Sequence, residues 1–297
     1  MIHLIVGPAA HGVTAYALQL ADALGTVDIV REETFTEAPL PDGPIHVAFT
    51  DHLFGAGPDA AVETLLARVG ERPLSVSFHD VPQPEEGAER FARRAAAYQR
   101  LAAAADVVGT NSEHEARFFD APSSVIRLPI PQVHSEFDPE PGTVGVLGYL
   151  YPGKGHEYLI AALDGSGYRL RFLGAVSKGH EAWAEELARH AEITGWLSDD
   201  ELAAEMGRIE IPVCAHRHFS ASGSLMTWLG AGRTVLATDS DYTREIDAWL
   251  PGRITRVSGS WRDAVDAFQP EVLDPPRYGW ADVATAWEDA WHSAGLE

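Results

Sequence analysis

Short apolar runs, each followed by a turn of small or polar residues and then by a helical segment, alternate along almost the whole chain. The first example runs from the strand Leu4–Val6 through a glycine-bearing turn at residues 7–12 to a helix over Val13–Leu24. Short, uninterrupted apolar runs bounded by glycine or proline are typical of buried parallel strands, and the segments between them have the helical period. This alternation predicts an α/β fold with parallel sheets.

The pattern stops at residues 129–142, PIPQVHSEFDPEPG, where four prolines indicate a linker, and then starts again. A chain of 297 residues is long enough for two domains. We therefore predict two doubly wound, Rossmann-like domains, residues 1–138 and 139–276, that face each other across a cleft. The remaining segment, 277–297, is predicted to form a helix that packs back on the first domain through an aromatic stripe: Trp280, Ala284, Trp287 and Trp291.

Charge and cysteine content restrict the class of partner and the compartment. There are 44 acidic and 22 basic residues, a net charge of −22, which argues against nucleic acid and against an electrostatic hold on an anionic membrane. The single cysteine, Cys214, can form no internal disulfide, and neither a signal peptide nor a transmembrane run is present, so we expect a cytoplasmic protein. The Ala-, Gly- and Arg-rich helices suggest a bacterial source. Oligomeric state is left open.

A turn of small, hydroxylated residues, Ser222-Gly223-Ser224, follows the apolar run that ends at Cys214. Ser222 is a plausible N-cap for the next helix, Gly223 would let a ligand approach the backbone, and Ser224 adds a hydroxyl. The unpaired N–H groups of a helix N-terminus attract anions, so a phosphate or diphosphate would fit. An ordinary capped turn is the alternative.

Two other turns follow predicted strands and carry polar side chains. Lys154 stands between two glycines, after the strand Val144–Leu147, where it could reach a phosphate or could be a solvated loop lysine. His79-Asp80 ends the strand Leu74–Phe78, and open α/β sheets bind ligands at this end. A histidine whose partners are backbone groups is the alternative for His79.

The remaining histidine pair, the single cysteine and the common nucleotide-binding motifs give weaker indications of a functional site. His216 and His218 are two residues apart, but no carboxylate or cysteine of ligand spacing accompanies them, so we favour a polar surface over a metal site. Cys214 lies in an apolar strand and is expected in the core, not as a nucleophile. The Gly-x-Gly-x-x-Gly and Walker motifs are absent. We expect no metal and no bound cofactor.

Several segments nevertheless fall into one order that resembles a known family. They are GVTAYALQLADALG, SVSFHD, ADVVGTNSEHE, VGVLGYLYPGKGHEYLIAAL, ITGWLSDDELAAEM, SGSLMTWLGAGRTVLATDSDYTREI and YGWADVATAWEDAW. In this order they are similar to landmarks of the retaining family 4 glycosyltransferases, which have the GT-B fold. The resemblance covers nearly the whole chain, and its most specific parts are the Lys-Gly turn and the LGAGRTVLATD run.

The resemblance implies that a sugar is transferred from a nucleotide-diphosphate sugar, most commonly UDP- or GDP-linked, to an acceptor with retention at the anomeric carbon and without a metal. It implies that the donor lies mainly on the second domain and the acceptor on the first. By position, the catalytic residues would be His79, which would contact the donor sugar, and Lys154, which would bind the diphosphate. The other positions that it assigns to the nucleotide sugar are Gly12, Tyr149, Ser222, Gly223, Ser224 and Thr227, with Trp196 and Leu197 on the side of the base.

The chain departs from the family pattern at three places. Tyr149 stands where an arginine is usual, and the two usual glutamates fall on Thr227 and at about Phe219, so a Ser-Gly-Ser loop replaces the two-glutamate motif. A threonine hydroxyl can replace only part of the hydrogen bonding of a carboxylate, so we expect weaker or differently arranged nucleotide binding. These departures leave two alternatives: a non-catalytic GT-B protein that binds a ligand or a partner chain, and an epimerase of nucleotide sugars.

Overall fold

The computed structural model describes residues 1–296 and divides the chain into two compact units. The first unit contains Met1–Pro129 and the chain from Tyr278 onward, and the second unit contains Ile130–Arg277. Residues 130–138 hydrogen-bond within the second unit: the Val133 N–H donates to the Gly230 carbonyl, and the Asp138 N–H donates to the Gly207 carbonyl.

Six parallel strands form the sheet of the first unit. They are β1 (Ile2–Val6), β2 (Asp28–Glu32), β3 (Ile45–Phe49), β4 (Leu74–Phe78), β5 (Val107–Thr110) and β6 (Ser124–Val125), in the order β2-β1-β3-β4-β5-β6. The strand order reverses between β1 and β3, which are hydrogen-bonded neighbours. In open α/β sheets, such a switch point is where ligands bind, beyond the carboxyl ends of the strands.

The helices of the first unit cover both faces of this sheet. They are α1 (Gly12–Leu24), α2 (Asp51–Phe54), α3 (Pro58–Val69), α4 (Ala88–Ala104), α5 (Glu113–Ala116) and, at the C-terminal end of the chain, α12 (Trp280–Ala294), with a 3-10 turn at Pro84–Glu86. On one face Phe49, Phe78 and Tyr98 form an aromatic core. On the other face α1 and α12 pack together against the strands.

A glycine in β5 makes room for α12. A Cβ atom on Gly109 would lie 2.2 Å from the Trp287 ring, so no larger residue fits while the helix is in place. Trp287 and Trp291 are both buried, with their rings stacked 5.7 Å apart. The aromatic stripe predicted in this segment is therefore a packing face within the first unit.

The second unit repeats the architecture with another sheet of six parallel strands. They are β7 (Glu140–Leu147), β8 (Arg169–Leu173), β9 (Ala191–Ile193), β10 (Ile209–Cys214), β11 (Val235–Thr238) and β12 (Ile254–Val257), in the order β12-β11-β10-β7-β8-β9. The helices are α6 (His156–Leu163), α7 (Glu181–Leu187), α8 (Asp199–Arg208), α9 (Gly223–Gly230), α10 (Asp241–Trp249) and α11 (Trp261–Ala267). Here the switch point lies between β7 and β10.

The predicted α/β alternation with parallel sheets is confirmed, and three local predictions were wrong. Strand β7 begins at Glu140, inside the proline-rich segment, because Thr143 and Glu140 hydrogen-bond to the neighbouring strands and to each other. The short helix α2 was not predicted. The capping-box pattern that starts at Ser112 predicted a helix to Phe119, but α5 ends at Ala116. Within residues 1–296 no helix is both long enough and apolar enough to cross a membrane.

Candidate ligand-binding sites at the two switch points

In the second unit, the loop after β7 places Lys154 at the switch point. Gly148 has a φ of +104°, and a Cβ there would lie 2.3 Å from the Lys154 Nζ, so the ammonium lies against the glycine backbone. Gly155 has a φ of +86°, and a Cβ there would lie 2.0 Å from the Ala215 carbonyl oxygen. Only glycine combines this backbone conformation with such close contact. The loop is thereby held against the end of β10.

The Lys154 side chain is buried without an anionic partner. The residue is 5% exposed. Among residues 1–296 no side chain forms a hydrogen bond or ion pair with its ammonium, which lies 5.9 Å from the centroid of the Tyr151 ring. Burial lowers the pKa of Lys154 to about 8, and the nearby Cys214 thiol opposes this shift. A buried, unpaired cation is costly to a fold, and such groups mark candidate functional sites. The lysine is therefore available to an anionic ligand.

Two neutral histidines lie near Lys154. Burial, followed by the charge of Lys154, lowers the pKa of His156 to about 3 and that of His216 to about 3. His156 is fully buried at the start of α6, neither ring nitrogen has a hydrogen-bond partner, and the ring packs on Phe172 at 4.5 Å. None of the groups that shift these pKa values is a carboxylate. An anion bound beside Lys154 would therefore not be repelled by a carboxylate among these groups.

The loop after β10 forms the other side of this switch point. Ser222 caps α9, as predicted: its Oγ accepts a hydrogen bond of 3.2 Å from the Leu225 N–H, and its own N–H donates to the Tyr242 hydroxyl. The hydroxyl oxygens of Ser222 and Ser224 are 3.1 Å apart. Gly223 is exposed, and no described atom lies within 4 Å of the position a Cβ would take. The start of α9 is open to a ligand.

Thr227 and Cys214, near the start of α9, are limited in what they can offer to a ligand by their own contacts. The Thr227 hydroxyl donates to the Gly223 carbonyl at 2.9 Å, so towards a ligand it can only accept a hydrogen bond. Cys214 is buried, and its burial raises the pKa of the thiol to about 12, partly offset by Lys154 and by a hydrogen bond with Ser224. The expectation that Cys214 is a core residue is confirmed, because it is buried, and a buried thiol with a raised pKa is a poor nucleophile.

Two exposed aromatic residues lie close together beside the Lys154 loop. Tyr149 is 36% exposed and Trp196, which follows β9, is 67% exposed, and their ring centroids are 6.2 Å apart. Leu197 is partly buried next to them. A pair of exposed rings in the loops after β7 and β9 offers a stacking surface for a planar group.

In the first unit, the loops after β1 and β3 meet at the switch point through two histidines. His11 caps α1, accepting the Val13 N–H at its Nδ1, and its Nε2 lies 2.9 Å from the Nε2 of His52. The His52 Nδ1 is 3.1 Å from the Thr50 hydroxyl oxygen, and Thr50 donates to the Asp80 carboxylate at 3.0 Å. A continuous chain of hydrogen bonds thus reaches Asp80 from the cap of α1.

The backbone of His79-Asp80 is held from α4. Tyr98 donates to the His79 carbonyl at 3.3 Å, and Arg94 donates to the Asp80 carbonyl at 2.9 Å while pairing with the Asp51 carboxylate. Asp80 has a φ of +48°, which an L-residue adopts at a cost in energy. Burial lowers the pKa of His79 to about 4, although the Asp80 charge opposes this shift, so the imidazole is neutral near pH 7.

The predicted site residues fall into two groups by unit. Gly12 and His79 belong to the first unit, and Gly12 is the exposed first residue of α1. The second unit holds the others, and the structure brings two of them, Lys154 and Ser224, together beside Gly148. His11, Thr50, His52 and Arg94 were not predicted as site residues, although the first three are polar residues in the turns that follow β1 and β3, which is a signal visible in the sequence. Within residues 1–296 no group of three or more His, Cys, Asp or Glu side chains is arranged to hold a metal ion.

The comparisons with known proteins establish the fold. No family model matches the sequence, and no curated protein matches it. Among solved structures, HepE of Anabaena in complex with UDP and glucose matches 98% of this chain and 94% of its own at 14% identity, with a TM-score of 0.65. Sucrose-phosphate synthase from Thermosynechococcus elongatus matches 99% and 96% at 14% identity, with a TM-score of 0.65. AviGT4, a glycosyltransferase involved in avilamycin A biosynthesis, matches 99% and 97% at 14% identity, with a TM-score of 0.61. The chain has the GT-B fold.

Proposed function

We propose that the protein is a retaining, metal-independent glycosyltransferase that uses a nucleotide-diphosphate sugar. The observation that carries this proposal is the buried, unpaired ammonium of Lys154 at the switch point of a GT-B second unit. A diphosphate supplies the negative charge that this ammonium lacks, and the start of α9 adds backbone N–H groups. The same combination favours the diphosphate as leaving group, because charge builds up on it during transfer.

The donor nucleotide is proposed to be UDP. HepE was solved with UDP and glucose, and UDP is thus the first nucleotide to test, with GDP as the next. We assign the base to Trp196 and Leu197 and to the ring of Tyr149, because these side chains form the exposed stacking surface. We assign the ribose to Thr227, whose hydroxyl oxygen can accept one hydrogen bond.

The roles of the remaining residues follow from their protonation and position. Lys154 is mostly protonated at pH 7, and a bound diphosphate would raise its pKa further. We assign Ser222, Gly223 and Ser224 to the sugar phosphate of the donor, and we assign Gly12 of the first unit to binding of the nucleotide sugar. His79 is neutral, so it hydrogen-bonds to the donor sugar and orients it but supplies no positive charge. The acceptor is assigned to the first predicted domain, residues 1–138, and the donor to the second, residues 139–276.

A calorimetric titration tests the proposal, using UDP, GDP, ADP and dTDP with the purified chain. We expect binding of one nucleotide, and we expect Lys154→Met to weaken it roughly ten- to a hundredfold, the range for a charge-assisted hydrogen bond. Lys178→Met is the matched control, because Lys178 is the only other lysine and is exposed. If Lys154→Met binds as well as the control, the assignment of the diphosphate site is wrong.

Turnover separates an enzyme from a binding protein. With the nucleotide sugar that corresponds to the bound nucleotide, we expect transfer to an acceptor or slow hydrolysis of the donor, measured as nucleotide release. Retention is read from the anomeric configuration of the product, and metal independence from the rate in the presence of a chelator. Nucleotide binding without any turnover would favour the non-catalytic alternative, and conversion of the sugar without an acceptor would favour epimerisation.

A further inference from the structure

The two lysines of the chain have opposite surroundings. Lys178 is exposed in the turn before α7, whereas Lys154 is 5% exposed. The Nζ of Lys154 makes no hydrogen bond within residues 1–296, yet it is not among the sealed, unpartnered atoms of the buried side chains. The amine of Lys154 is therefore accessible at its tip, although the rest of the side chain is buried.

The protonation of Lys154 makes this amine a nucleophile near neutral pH. Burial lowers its pKa to about 8, from the usual value of about 10.5. At pH 7 about one Lys154 side chain in ten is then the free amine, against about one in three thousand for a lysine with the usual pKa. Only the free amine has the electron pair that attacks an electrophile, so Lys154 has about three hundred times more of the reactive form.

The same amine lies beside the start of α9. A Cβ on Gly148 would lie 2.3 Å from the Lys154 Nζ and 3.7 Å from the Cβ of Ser224, the second residue of the helix. Gly223, the first residue, is exposed, with no described atom within 4 Å of its Cβ position. The N–H groups at a helix start attract a phosphate. A molecule whose phosphate is held there would have its next atoms close to the amine.

We propose that Lys154 is a modification site that is acylated by acyl phosphates, small molecules that carry an acyl group on a phosphate. The start of α9 holds the phosphate, and the free amine attacks the acyl carbon. The bond from that carbon to the phosphate oxygen breaks, and the phosphate leaves with the electron pair and takes up the amine proton. The products are an amide on Lys154 and inorganic phosphate. Binding at the helix start and the free amine both favour this step.

Acylation would change the charge of the switch point in the second unit. The amide is neutral, so the ammonium that an anion would pair with is lost. The modification therefore goes beyond the proposed function: it would block the diphosphate site, and it does not itself require sugar transfer.

The first test treats the purified, full-length protein with acetyl phosphate at pH 7. Mass spectrometry of the digested protein measures the initial rates of acetylation at Lys154 and Lys178. We expect Lys154 to react at least about tenfold faster, because its excess of free amine outweighs the lower nucleophilicity of a less basic amine. Lys154→Met should lack the fast site, and Lys178→Met should retain it.

The second test asks whether the phosphate group directs the reaction. Inorganic diphosphate at about a hundred times its Kd should slow acetylation of Lys154 at least about tenfold and leave Lys178 unchanged, since it occupies the helix start. The comparison reagent is p-nitrophenyl acetate, which carries the same acyl group without a phosphate. We expect it to prefer Lys154 less strongly than acetyl phosphate does.

Two results would overturn the proposal. One is acetylation of Lys154 at a rate equal to or below that of Lys178. The other is a fast reaction at Lys154 that diphosphate does not slow and that p-nitrophenyl acetate shows with the same preference. A protected, reactive Lys154 in a protein that binds no nucleotide would contradict only the proposed function. Nucleotide binding with an unreactive Lys154 would contradict only the modification.

Discussion

The Nε2 atoms of His11 and His52 lie 2.9 Å apart, and this contact joins the two loops at the switch point of the first unit. Since the Val13 N–H occupies the Nδ1 of His11, His11 donates through Nε2 and His52 accepts. His52 then donates through Nδ1 to Thr50, and Thr50 donates to Asp80. Both imidazoles are used as neutral rings, in agreement with the lowered pKa of His11, which burial causes and His52 reinforces.

The first prediction separates the two roles of His11. His11→Ala removes the cap of α1 and the contact with His52, and it should lower the free energy of unfolding by about 1 kcal/mol. His11→Asn keeps a capping side chain and removes only the contact, so it should lose a smaller part of that free energy. Urea unfolding of both variants measures the difference. Equal losses would show that the cap contributes nothing and that the contact with His52 accounts for the effect.

The second prediction concerns stability in acid. Burial lowers the pKa of His3 to about 4, and neither of its ring nitrogens has a hydrogen-bond partner. The unfolded chain binds a proton at this residue below about pH 6.5, whereas the folded chain does so only near pH 4. Stability should therefore fall as the pH is lowered from about 6.5 to 4, by up to about 3 kcal/mol from this residue alone.

His3→Phe provides the comparison, because the ring stays between His46 and Trp291 but can no longer be protonated. Urea unfolding at pH 7.5 and at pH values down to about 4.5 should show a smaller loss for this variant than for the wild type. His134→Phe, at an exposed histidine, is the control for the substitution itself. An unchanged pH dependence in His3→Phe would contradict the prediction.

The features that were predictable from the sequence are those that depend on neighbouring residues. The Ser222 cap and the capping box of Ser198 with Glu201 are local, and the structure contains both. The contact between His11 and His52 depends on β1 and β3 being neighbours, and the alternation of strands and helices does not specify strand order. The burial of Lys154 likewise depends on the close approach of Gly155 to Ala215, which no local pattern shows.

The third prediction tests the stacking surface. Trp196→Ala should weaken binding of the nucleotide by about 1–3 kcal/mol, roughly ten- to a hundredfold, because a base loses its aromatic partner. Since Trp196 is 67% exposed, the free energy of unfolding should change by no more than about 0.5 kcal/mol. Tyr158→Ala is the control at another half-exposed aromatic residue of the same unit. Calorimetric titration measures the nucleotide affinity of both variants. If Trp196→Ala and Tyr158→Ala bind the nucleotide equally well, the assignment of the base to this surface is wrong.

The fourth prediction is that Lys154 lowers stability. The pKa of Lys154 is about 8 in the folded chain and about 10.5 in the unfolded chain, so at pH 7 the fold carries a charge that burial disfavours. Lys154→Met should therefore raise the free energy of unfolding at pH 7 by up to about 3 kcal/mol. Because the folded wild type releases this proton first, its stability should rise between pH 8 and 10.5, and the advantage of Lys154→Met should shrink.

Urea unfolding of Lys154→Met at pH 7 and pH 10 measures both effects, with Lys178→Met as the exposed control. If Lys154 stabilised the folded protein, Lys154→Met would instead lower the free energy of unfolding, because the replacement would remove a favourable interaction. Greater stability together with weaker nucleotide binding would mean that the cost of burying the ammonium is offset only when an anion is bound. A destabilised Lys154→Met with unchanged m-value would instead show that the lysine is part of the packing of the second unit.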